Sequence, residues 1–377
     1  MPDVHARFSP SSAERLIHCP PSLVLGEEAG PEDNSTEYTA EGTEAHRLCE
    51  YLLKSELREM LKDPRSELNY YSAEMEDCAN GYKEEVMSIY EQLRQSDPST
   101  LISVEQRVGF TEYVKDAFGT SDCIIVGNGH LYVIDYKHGK GVPVSAEGED
   151  QKGNPQLKCY GLGAYLAFAP LYEISDITLV VYQPRLSNYS QYTLTPEELL
   201  TWAETELKPA AEKALRGEGE YACGSWCRFC KAKAVCRKRA EENLSLAKYD
   251  FAPPDRLEED EINEILGKLE SLKSWAEDIK EYAMQKALSG YAWADWKLVE
   301  GRSNRAFTDE EEAARLFEEA GFDPYERKVK SLTAMETAMG KKQFRELLGG
   351  LVVKPQGKPT LVSRNDKREE IKVEEKE

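Results

Sequence analysis

Residues 119–137, with the sequence GTSDCIIVGNGHLYVIDYK, predict a β-hairpin that decides the fold of this chain. Two runs rich in apolar and β-branched residues stand on either side of Asn128 and Gly129. Asn-Gly is a strong hairpin signal, because a type I′ turn requires positive φ at both central residues. This turn would make Gly127 face His130 across two antiparallel strands. Strands as apolar as these belong in a core, which disfavours a solvated hairpin with incidental charges.

The same hairpin would bring two carboxylates and a lysine into one small volume. Asp122 on the first strand would lie directly opposite Asp135 on the second. Opposed residues have Cβ atoms about 4.5–5.5 Å apart, and like charges there destabilise a sheet. Lys137 would project from the same face as Asp135, because side chains alternate along a strand. A divalent cation between the carboxylates would relieve the repulsion, so we predict a metal site here.

The composition is that of a soluble globular protein. The chain has 377 residues, 40% hydrophobic and 31% charged, enough for one large domain with an appended part. The N-terminus lacks the layout of a signal peptide, and no apolar run reaches the length of a membrane span. The cysteines number nine, an odd count that disfavours a complete disulfide framework. We therefore expect a cytoplasmic protein with reduced cysteines.

The acidic residues are unevenly distributed. The net charge of −21 argues at first sight against a nucleic-acid partner. Residues 221–240, however, contain no acidic side chain, whereas much of the acid lies in 31–77 and 255–281. A local basic patch can hold a phosphate backbone despite a negative total. The candidate DNA contacts in this segment are Arg228, Lys231, Lys233 and Arg237.

The hydrophobic pattern predicts a sheet flanked by helices. Predicted helices cover 11–25 with a stop at Cys19-Pro20-Pro21, then 43–60, 73–93, 154–168 and 196–215. Predicted strands cover 101–110, the two arms of the hairpin, 176–183 and 189–194. Helices followed by three strands, a helix, two strands and a helix indicate a mixed sheet in a three-layer α/β arrangement.

The chain changes character after residue 245. Apolar residues between Ile262 and Tyr282 recur in steps of three and four, which is typical of one long amphipathic helix. This helix, within 257–288, could pack onto its own domain, the favoured interpretation, or support oligomerisation. Shorter helices are predicted at 309–319 and 332–348, and a flexible charged tail from Lys354. The predicted regions are therefore 1–245, a helical region 246–353 and the tail 354–377.

A cluster of cysteines indicates a second metal centre. Cys227, Cys230 and Cys236 have the spacing C-x2-C-x5-C, and Cys19 before Pro20 is the natural fourth ligand. Thiolates in this pattern suit tetrahedral zinc or a four-iron cluster. Zinc ribbons usually bring two C-x2-C pairs, so one distant ligand favours iron–sulfur. Cys223 could replace Cys19 in a purely local zinc site, and spacing alone leaves the metal open.

These motifs together resemble the PD-(D/E)XK nuclease superfamily. They are most similar to its RecB-like exonucleases with an iron–sulfur cluster, the AddB and CRISPR-associated type. The matching patterns, over residues 8–240, are G-x-x-x-H at 42–46, G-x-x-D at 119–122, D-x-K at 135–137, Q-x-x-x-Y at 156–160, and one early with three late cysteines. Each short pattern is weak alone, but their order and predicted secondary structure agree with the family. The chain looks closest to a phage-borne branch of the superfamily.

The resemblance implies a restriction-endonuclease-like mixed sheet flanked by helices, with a cysteine-ligated cluster and a helical C-terminal extension. The metal ligands would be His46, Asp122, Asp135 and the backbone carbonyl of Tyr136. They would hold Mg²⁺ or Mn²⁺, and the imidazole nitrogen favours Mn²⁺. The catalytic residues would be Asp122, Asp135, Lys137, Gln156 and Tyr160. Lys137 would orient and help deprotonate the attacking water. Glu105, on the preceding strand, could support the metal shell.

The implied function is a metal-dependent DNA exonuclease acting on linear ends or single strands, in phage recombination or replication. Its cofactors would be Mg²⁺ or Mn²⁺ and a 4Fe-4S cluster, with structural Zn²⁺ as the alternative. A single-strand-binding or annealing protein is an expected partner, and the host cytoplasm the expected location. Two alternatives stay open. The first is a DNA-end-binding adaptor that does not cut, and the second is a structure- or sequence-specific endonuclease.

Overall fold

A computed structural model of the chain describes residues 6–30, 37–246, 257–299, 309–319, 322, 324–325, 335 and 339–352. The chain divides into two compact units, Met1–Ala283 and Met284–Glu377. Within the described part, no helix combines the length and apolar character that crossing a membrane requires. The predicted domain limit at residue 245 stays a prediction.

A five-stranded mixed sheet forms the centre of the first unit. Its strands are β1 (Leu101–Gly109), β2 (Phe118–Gly127), β3 (His130–Tyr136), β4 (Asp176–Gln183) and β5 (Asn188–Leu194). They lie in the order β1-β2-β3-β4-β5, with β3 and β4 parallel and the other neighbours antiparallel. The parallel pair requires a crossover, which runs through the helix between β3 and β4.

The register of the central hairpin is as predicted. Gly127 pairs with His130, and the ladder runs to Cys123 opposite Ile134. Asn128 and Gly129 form the turn with φ of 51° and 81°, the positive values that a type I′ turn requires. The next pair in this register, just beyond the ladder, is Asp122 on β2 and Asp135 on β3.

Helices cover both faces of the sheet. The helices of the first unit are α1 (Ala13–His18), α2 (Ser22–Glu28), α3 (Glu37–Glu56), α4 (Ala73–Ser96), α5 (Pro155–Phe168), α6 (Pro196–Trp202), α7 (Lys208–Arg216), α8 (Arg237–Leu244) and α9 (Glu259–Leu288), whose end lies past the unit limit. One core packs α1 and α5–α7 on the sheet, and the other packs α3 and α4 on the opposite face. The predicted three-layer mixed α/β architecture is therefore confirmed.

Alternation along β2 explains how one strand serves both cores. Ile124 and Val126 are buried in the core with α5, whereas Cys123 and Ile125 are buried in the core with α3 and α4. Successive side chains point to opposite faces, so a strand covered on both sides is apolar throughout. The continuous apolar runs of the hairpin thus have a structural cause.

Three predicted helices differ from the structure in detail. The predicted 11–25 helix is two short helices, because Pro20 and Pro21 separate α1 from α2. The predicted 196–215 helix holds a π-helical turn at Ala203–Leu207. Pro209 follows this turn and lacks the N–H that a regular α-helix would use there. The α3 helix begins at Glu37, before the predicted start at Thr43.

The second unit contributes short described elements only. They are α10 (Glu310–Glu319), α11 (Lys341–Leu348) and a 3₁₀ turn at Gly349–Leu351. The helix predicted at 332–348 is described in part, and α11 follows Gly340, whose φ is 81°. The tail predicted at 354–377 lies outside the described residues.

Candidate active site

Asp122 occupies the end of the β2–β3 ladder, where its carboxylate replaces a backbone partner. Its Oδ2 accepts a hydrogen bond of 2.7 Å from the backbone N–H of Tyr136. The carboxylate is therefore fixed to both hairpin strands. Burial would raise the pKa of Asp122, but His46 and the Tyr136 N–H outweigh it and hold the pKa below its usual range.

His46 reaches the same carboxylate from the helical layer. It lies on α3, and its Nδ1 is 3.2 Å from Oδ1 of Asp122. The rings of His46 and Tyr136 are nearly perpendicular, with centroids 5.4 Å apart. Two residues earlier, Glu44 anchors α3 by accepting hydrogen bonds from the backbone N–H groups of Asn69 and Tyr70. The predicted histidine is thus brought to the hairpin.

Glu105, to which the sequence analysis gave only a supporting role, completes a group of three possible metal ligands. It lies across from Asp122 in the β1–β2 register, between the pairs Val104–Cys123 and Gln106–Ser121. Its φ of +54° is unusual for a non-glycine residue and interrupts regular pairing there. Ligand atoms of His46, Glu105 and Asp122 all lie within 4.8 Å of one another.

Asp135 and Lys137 form an ion pair beside this group. The Lys137 ammonium lies 2.9 Å from Oδ2 of Asp135, which is almost fully buried. The same Oδ2 accepts no hydrogen bond of good geometry, so its lone pairs are incompletely used. A buried carboxylate oxygen in this state is costly unless a further positive ligand completes its environment.

The titratable groups perturb one another strongly. Burial lowers the pKa of His46, but the charges of Asp122 and Asp135 reverse this and raise it to about 9. Burial and the charge of Asp122 raise the pKa of Glu105 to about 7. Burial likewise raises the pKa of Asp135, although Lys137 opposes it. The cluster therefore holds protons that a bound cation would displace.

The residues present fit a hard divalent cation. Carboxylate oxygens with one imidazole nitrogen are the donors that Mg²⁺ and Mn²⁺ use in proteins. Asp135, with an underused buried oxygen, is not a member of the group formed by His46, Glu105 and Asp122, but the charges of Asp122 and His46 act on it. The predicted carbonyl ligand of Tyr136 stays a prediction. Its side chain is fully buried in the core with α3 and α4.

Gln156 and Tyr160 lie together on α5. The amide of Gln156 donates a 3.3 Å hydrogen bond to the Tyr160 hydroxyl, as the four-residue spacing allows. Burial raises the pKa of Tyr160, and the charge of Asp135 adds to the shift, which places this hydroxyl near the carboxylates. Tyr160 also packs close to Gly119, where a Cβ atom would come within 2.7 Å of its ring.

A buried polar network behind the site was not predicted. Arg185, in the connection after β4, donates hydrogen bonds to Glu41 on α3 and Glu74 on α4. Its side chain is 5% exposed. His138 lies 3.5 Å from the same Glu41 carboxylate and 2.8 Å from the Tyr136 hydroxyl. This network connects α3, which carries His46, to the ends of β3 and β4.

The four predicted cysteines converge in the structure. Cys19, Cys227, Cys230 and Cys236 line one small cavity of about 20 Å³, and Cys223 is not among its lining residues. Three cations, Arg15, Lys233 and Arg239, line the same cavity and would balance thiolate charge. Burial raises the pKa of Cys19 and of Cys230, so metal-free thiols hold their protons.

The predicted DNA contacts differ in accessibility. Arg228, Lys231 and Arg237 are exposed. Lys233 is half-buried and lies 3.4 Å from Asp278 on α9, so its charge is matched within the first unit. Lys233 is therefore a weaker candidate for phosphate contact than the other three residues.

Comparisons with known proteins give a family and distant structural likenesses. A crystal structure described as "Putative exonuclease" from Eubacterium rectale is 12% identical, with a TM-score of 0.33, over 66% of this chain and 90% of that chain. A crystal structure of SSO0001 is 14% identical, with a TM-score of 0.22, over 51% of this chain and 95% of that chain. Neither likeness is strong enough to carry a functional argument.

One family matches almost the whole chain. The match covers residues 5–369 and therefore includes the hairpin, the ligand group and all four cavity-lining cysteines. The chain belongs to the family described as "Protein of unknown function (DUF2800)".

Proposed function

We propose that the protein is a metal-dependent nuclease that hydrolyses phosphodiester bonds in DNA. The observation that carries the proposal is the meeting of His46, Glu105 and Asp122 within 4.8 Å. Beside them lies the buried Asp135–Lys137 pair. Bound Mg²⁺ or Mn²⁺ would neutralise phosphate charge and acidify a water molecule. Carboxylates, an imidazole and a lysine are the groups that such a reaction requires.

The site residues would have three different roles, namely binding the cation, orienting the attacking water and positioning the substrate. Asp122, His46, Glu105 and Asp135 would hold the cation, and the backbone bond from Tyr136 keeps Asp122 in place. The pKa of Lys137 is raised because Asp135 and Asp122 outweigh its burial, so its ammonium stays charged. This ammonium would orient the attacking water and the phosphate. Tyr160, whose hydroxyl lies near Asp135, and Gln156 on the same helix would position the substrate strand.

The finer proposal is an exonuclease that acts on DNA ends in phage recombination or replication. It rests on the motif set shared with RecB-like nucleases, above all the Gln156–Tyr160 helix and the cysteine centre. A single-strand-binding or annealing protein would be a partner, and α9 a candidate oligomer contact. A non-cleaving end-binding adaptor is a weaker proposal, because such a module gains nothing from a buried Asp135–Lys137 pair.

We propose a 4Fe-4S cluster in the cysteine cavity. The four cysteines that line it would supply the four thiolates that such a cluster takes. One distant ligand with three clustered ones is unlike a zinc ribbon, which usually brings two C-x2-C pairs. Such a centre would join the segment after α1 to the segment before α8.

The test is digestion of end-labelled linear DNA with Mn²⁺ or Mg²⁺, beside closed circular DNA. Asp135→Asn, Lys137→Met and His46→Ala should each lower the rate at least about 100-fold, the loss expected when a positioned catalytic group is removed. Lys115→Ala changes an exposed lysine away from the site and serves as the matched control.

Each outcome has a distinct meaning. Cleavage of linear but not circular DNA supports the exonuclease, whereas cleavage of both supports the endonuclease. Intact DNA that is nevertheless tightly bound at its ends supports the adaptor. Iron and zinc content and the visible absorption of anaerobically purified protein decide the cluster. A colourless protein with one zinc ion would contradict iron–sulfur.

A further inference from the structure

An aromatic ring stands out from the surface beside the cysteine cavity. Phe229 is 73% exposed and ends the 3₁₀ turn Ser225–Phe229, which also carries Cys227. The turn is tied down by backbone bonds from Cys227 to Gly224 and from Cys230 to Cys227. The phenyl group is therefore held outward on an ordered scaffold, although burying so large an apolar side chain would be favourable.

A second pair of rings lies in the same region. Trp226 stacks on His18, with ring centroids 4.1 Å apart and planes within 8°. The indole N–H donates to the carbonyl of Ala222, which fixes the orientation of the Trp226 ring. His18 is exposed and precedes Cys19, so the two cysteine-bearing segments each contribute one ring to the stack.

Exposed cations lie in the same segment as Trp226 and Phe229. Arg228, Lys231, Arg237 and Lys238 are exposed, and the segment 221–240 contains no acidic residue. Two further cations of the segment, Lys233 and Arg239, pair with Asp278 on α9. In a protein with a net charge of −21, exposed cations interleaved with aromatic rings form a local exception.

We propose that this aromatic–basic surface, made of His18, Trp226, Phe229, Arg228, Lys231 and Arg237, binds single-stranded nucleic acid. Unpaired bases expose faces that stack on aromatic side chains, while cations follow the phosphates. A duplex hides those faces, so the exposed phenyl group would contribute little to duplex binding. The inference rests on the proposed nuclease function and names the single strand as the form in which substrate is held.

The position of the surface agrees with this role. His18 lies on α1, and α1 packs against α5, the helix of Gln156 and Tyr160. The surface and the site therefore lie on neighbouring elements of the first unit. A strand held by Phe229 would be retained while its end is processed.

The test separates stacking from charge. Binding of labelled single-stranded oligothymidylate, an abasic strand of equal length and a duplex is measured by fluorescence anisotropy. The Asp135→Asn background without added Mg²⁺ or Mn²⁺ prevents cleavage. Phe229→Ala should weaken oligothymidylate binding roughly 5- to 100-fold, the range for one lost base stack. Abasic-strand and duplex binding should stay unchanged, and Phe229→Trp should retain affinity.

The double change Arg228→Gln with Lys231→Gln probes the charges. It should weaken binding of the oligothymidylate and of the abasic strand alike, and reduce the salt slope by about 1.4. Leu171→Ala removes another exposed apolar side chain, 79% exposed on the loop before β4, and should change nothing. Iron content and circular dichroism verify that each variant is folded.

Three results would overturn the inference. The first is unchanged oligothymidylate binding by Phe229→Ala, which would indicate that the exposed phenyl group contacts a protein partner instead. The second is an equal loss of affinity for the abasic strand on Phe229→Ala. The third is duplex binding that is as strong as oligothymidylate binding and is weakened as much by Phe229→Ala. The binding experiment does not depend on cleavage. If the protein binds as expected here but cuts no DNA in the digestion experiment, the proposed nuclease function is refuted and the single-strand-binding surface is not.

Discussion

The imidazole of His46 lies 3.2 Å from the carboxylate of Asp122, and this contact joins the α3 layer to the central hairpin. Asp122 is held on its other side by the backbone N–H of Tyr136. The carboxylate thus sits between a helix and a strand that are distant in sequence. Either a proton on His46 or a cation can satisfy this arrangement, and the two compete.

That competition predicts a pH dependence of metal affinity. The pKa of His46 is raised to about 9, so the metal-free protein carries this proton below pH 9. A cation bound through His46 must release it, so affinity should rise up to about tenfold per pH unit between pH 7 and 9. Calorimetric titration of Mn²⁺ at pH 7 and pH 8 measures this slope.

The control for this experiment is a second histidine. His46→Ala should weaken Mn²⁺ binding and flatten its pH dependence over this range. His130→Ala removes a histidine paired with Asp176, at the opposite end of β3, and should leave the slope intact. A wild-type affinity that is the same at both pH values would refute His46 as a ligand.

The hairpin could be predicted because its signal is local. Asn128 and Gly129 specify the turn, and the turn then sets which residues oppose Asp122 and Cys123. The place of Glu105 could not be read in the same way. The connection of residues 110–117 has no tight-turn pair that would fix the register of β1 against β2. The positive φ of Glu105 is likewise visible only in the structure.

Long-range polar pairs were the other feature beyond sequence reasoning. Arg185 meets Glu41 and Glu74 only because the sheet brings three separate elements together. His138, two residues after Tyr136, is likewise buried behind the site, where it contacts Glu41 and the Tyr136 hydroxyl. Spacing rules describe neighbours along one helix or strand, and these contacts belong to neither.

We expect the loss of the buried Arg185 ion pairs to lower the free energy of unfolding more than the loss of an exposed ion pair. Arg185→Gln would leave the Glu41 carboxylate without its main partner in a mostly buried network, costing about 1–3 kcal/mol in the free energy of unfolding. Arg7→Gln removes an exposed pair with Glu27 and should cost at most about 1 kcal/mol. Urea unfolding measures both variants. Equal effects would show that the network contributes nothing beyond a surface pair.

Two helical glycines predict opposite effects of the same substitution. Gly163 on α5 packs so close to β1 that a Cβ atom would lie 2.9 Å from Cβ of Val108. Gly163→Ala should therefore destabilise the protein by about 1–3 kcal/mol through overpacking. Gly42 on α3 has open space around it, and Gly42→Ala should stabilise by about 0.5–1 kcal/mol. Urea unfolding should give opposite signs, and matching signs would contradict the packing of α5 on β1.

Gly42 also reports on the site, because it lies in the G-x-x-x-H pattern four residues before His46. If its open space receives the nucleic acid, Gly42→Ala should lower DNA cleavage while the protein becomes more stable. Unchanged cleavage with raised stability would show that the open space at Gly42 does not receive the nucleic acid.

The cysteine cavity predicts which thiol binds the metal centre. Cys19→Ser should lower the iron content and the melting temperature, because Cys19 lines the cavity and connects the N-terminal helices to residues 227–236. A link across so long a segment restricts the unfolded chain strongly, with roughly 2–5 kcal/mol typical of cross-links that close long loops. Cys223→Ser is the comparison, since Cys223 does not line the cavity although its thiol lies beside Cys227. Metal analysis and thermal unfolding of both variants decide the question. A purely local zinc site predicts the reverse, with metal lost from Cys223→Ser and kept by Cys19→Ser.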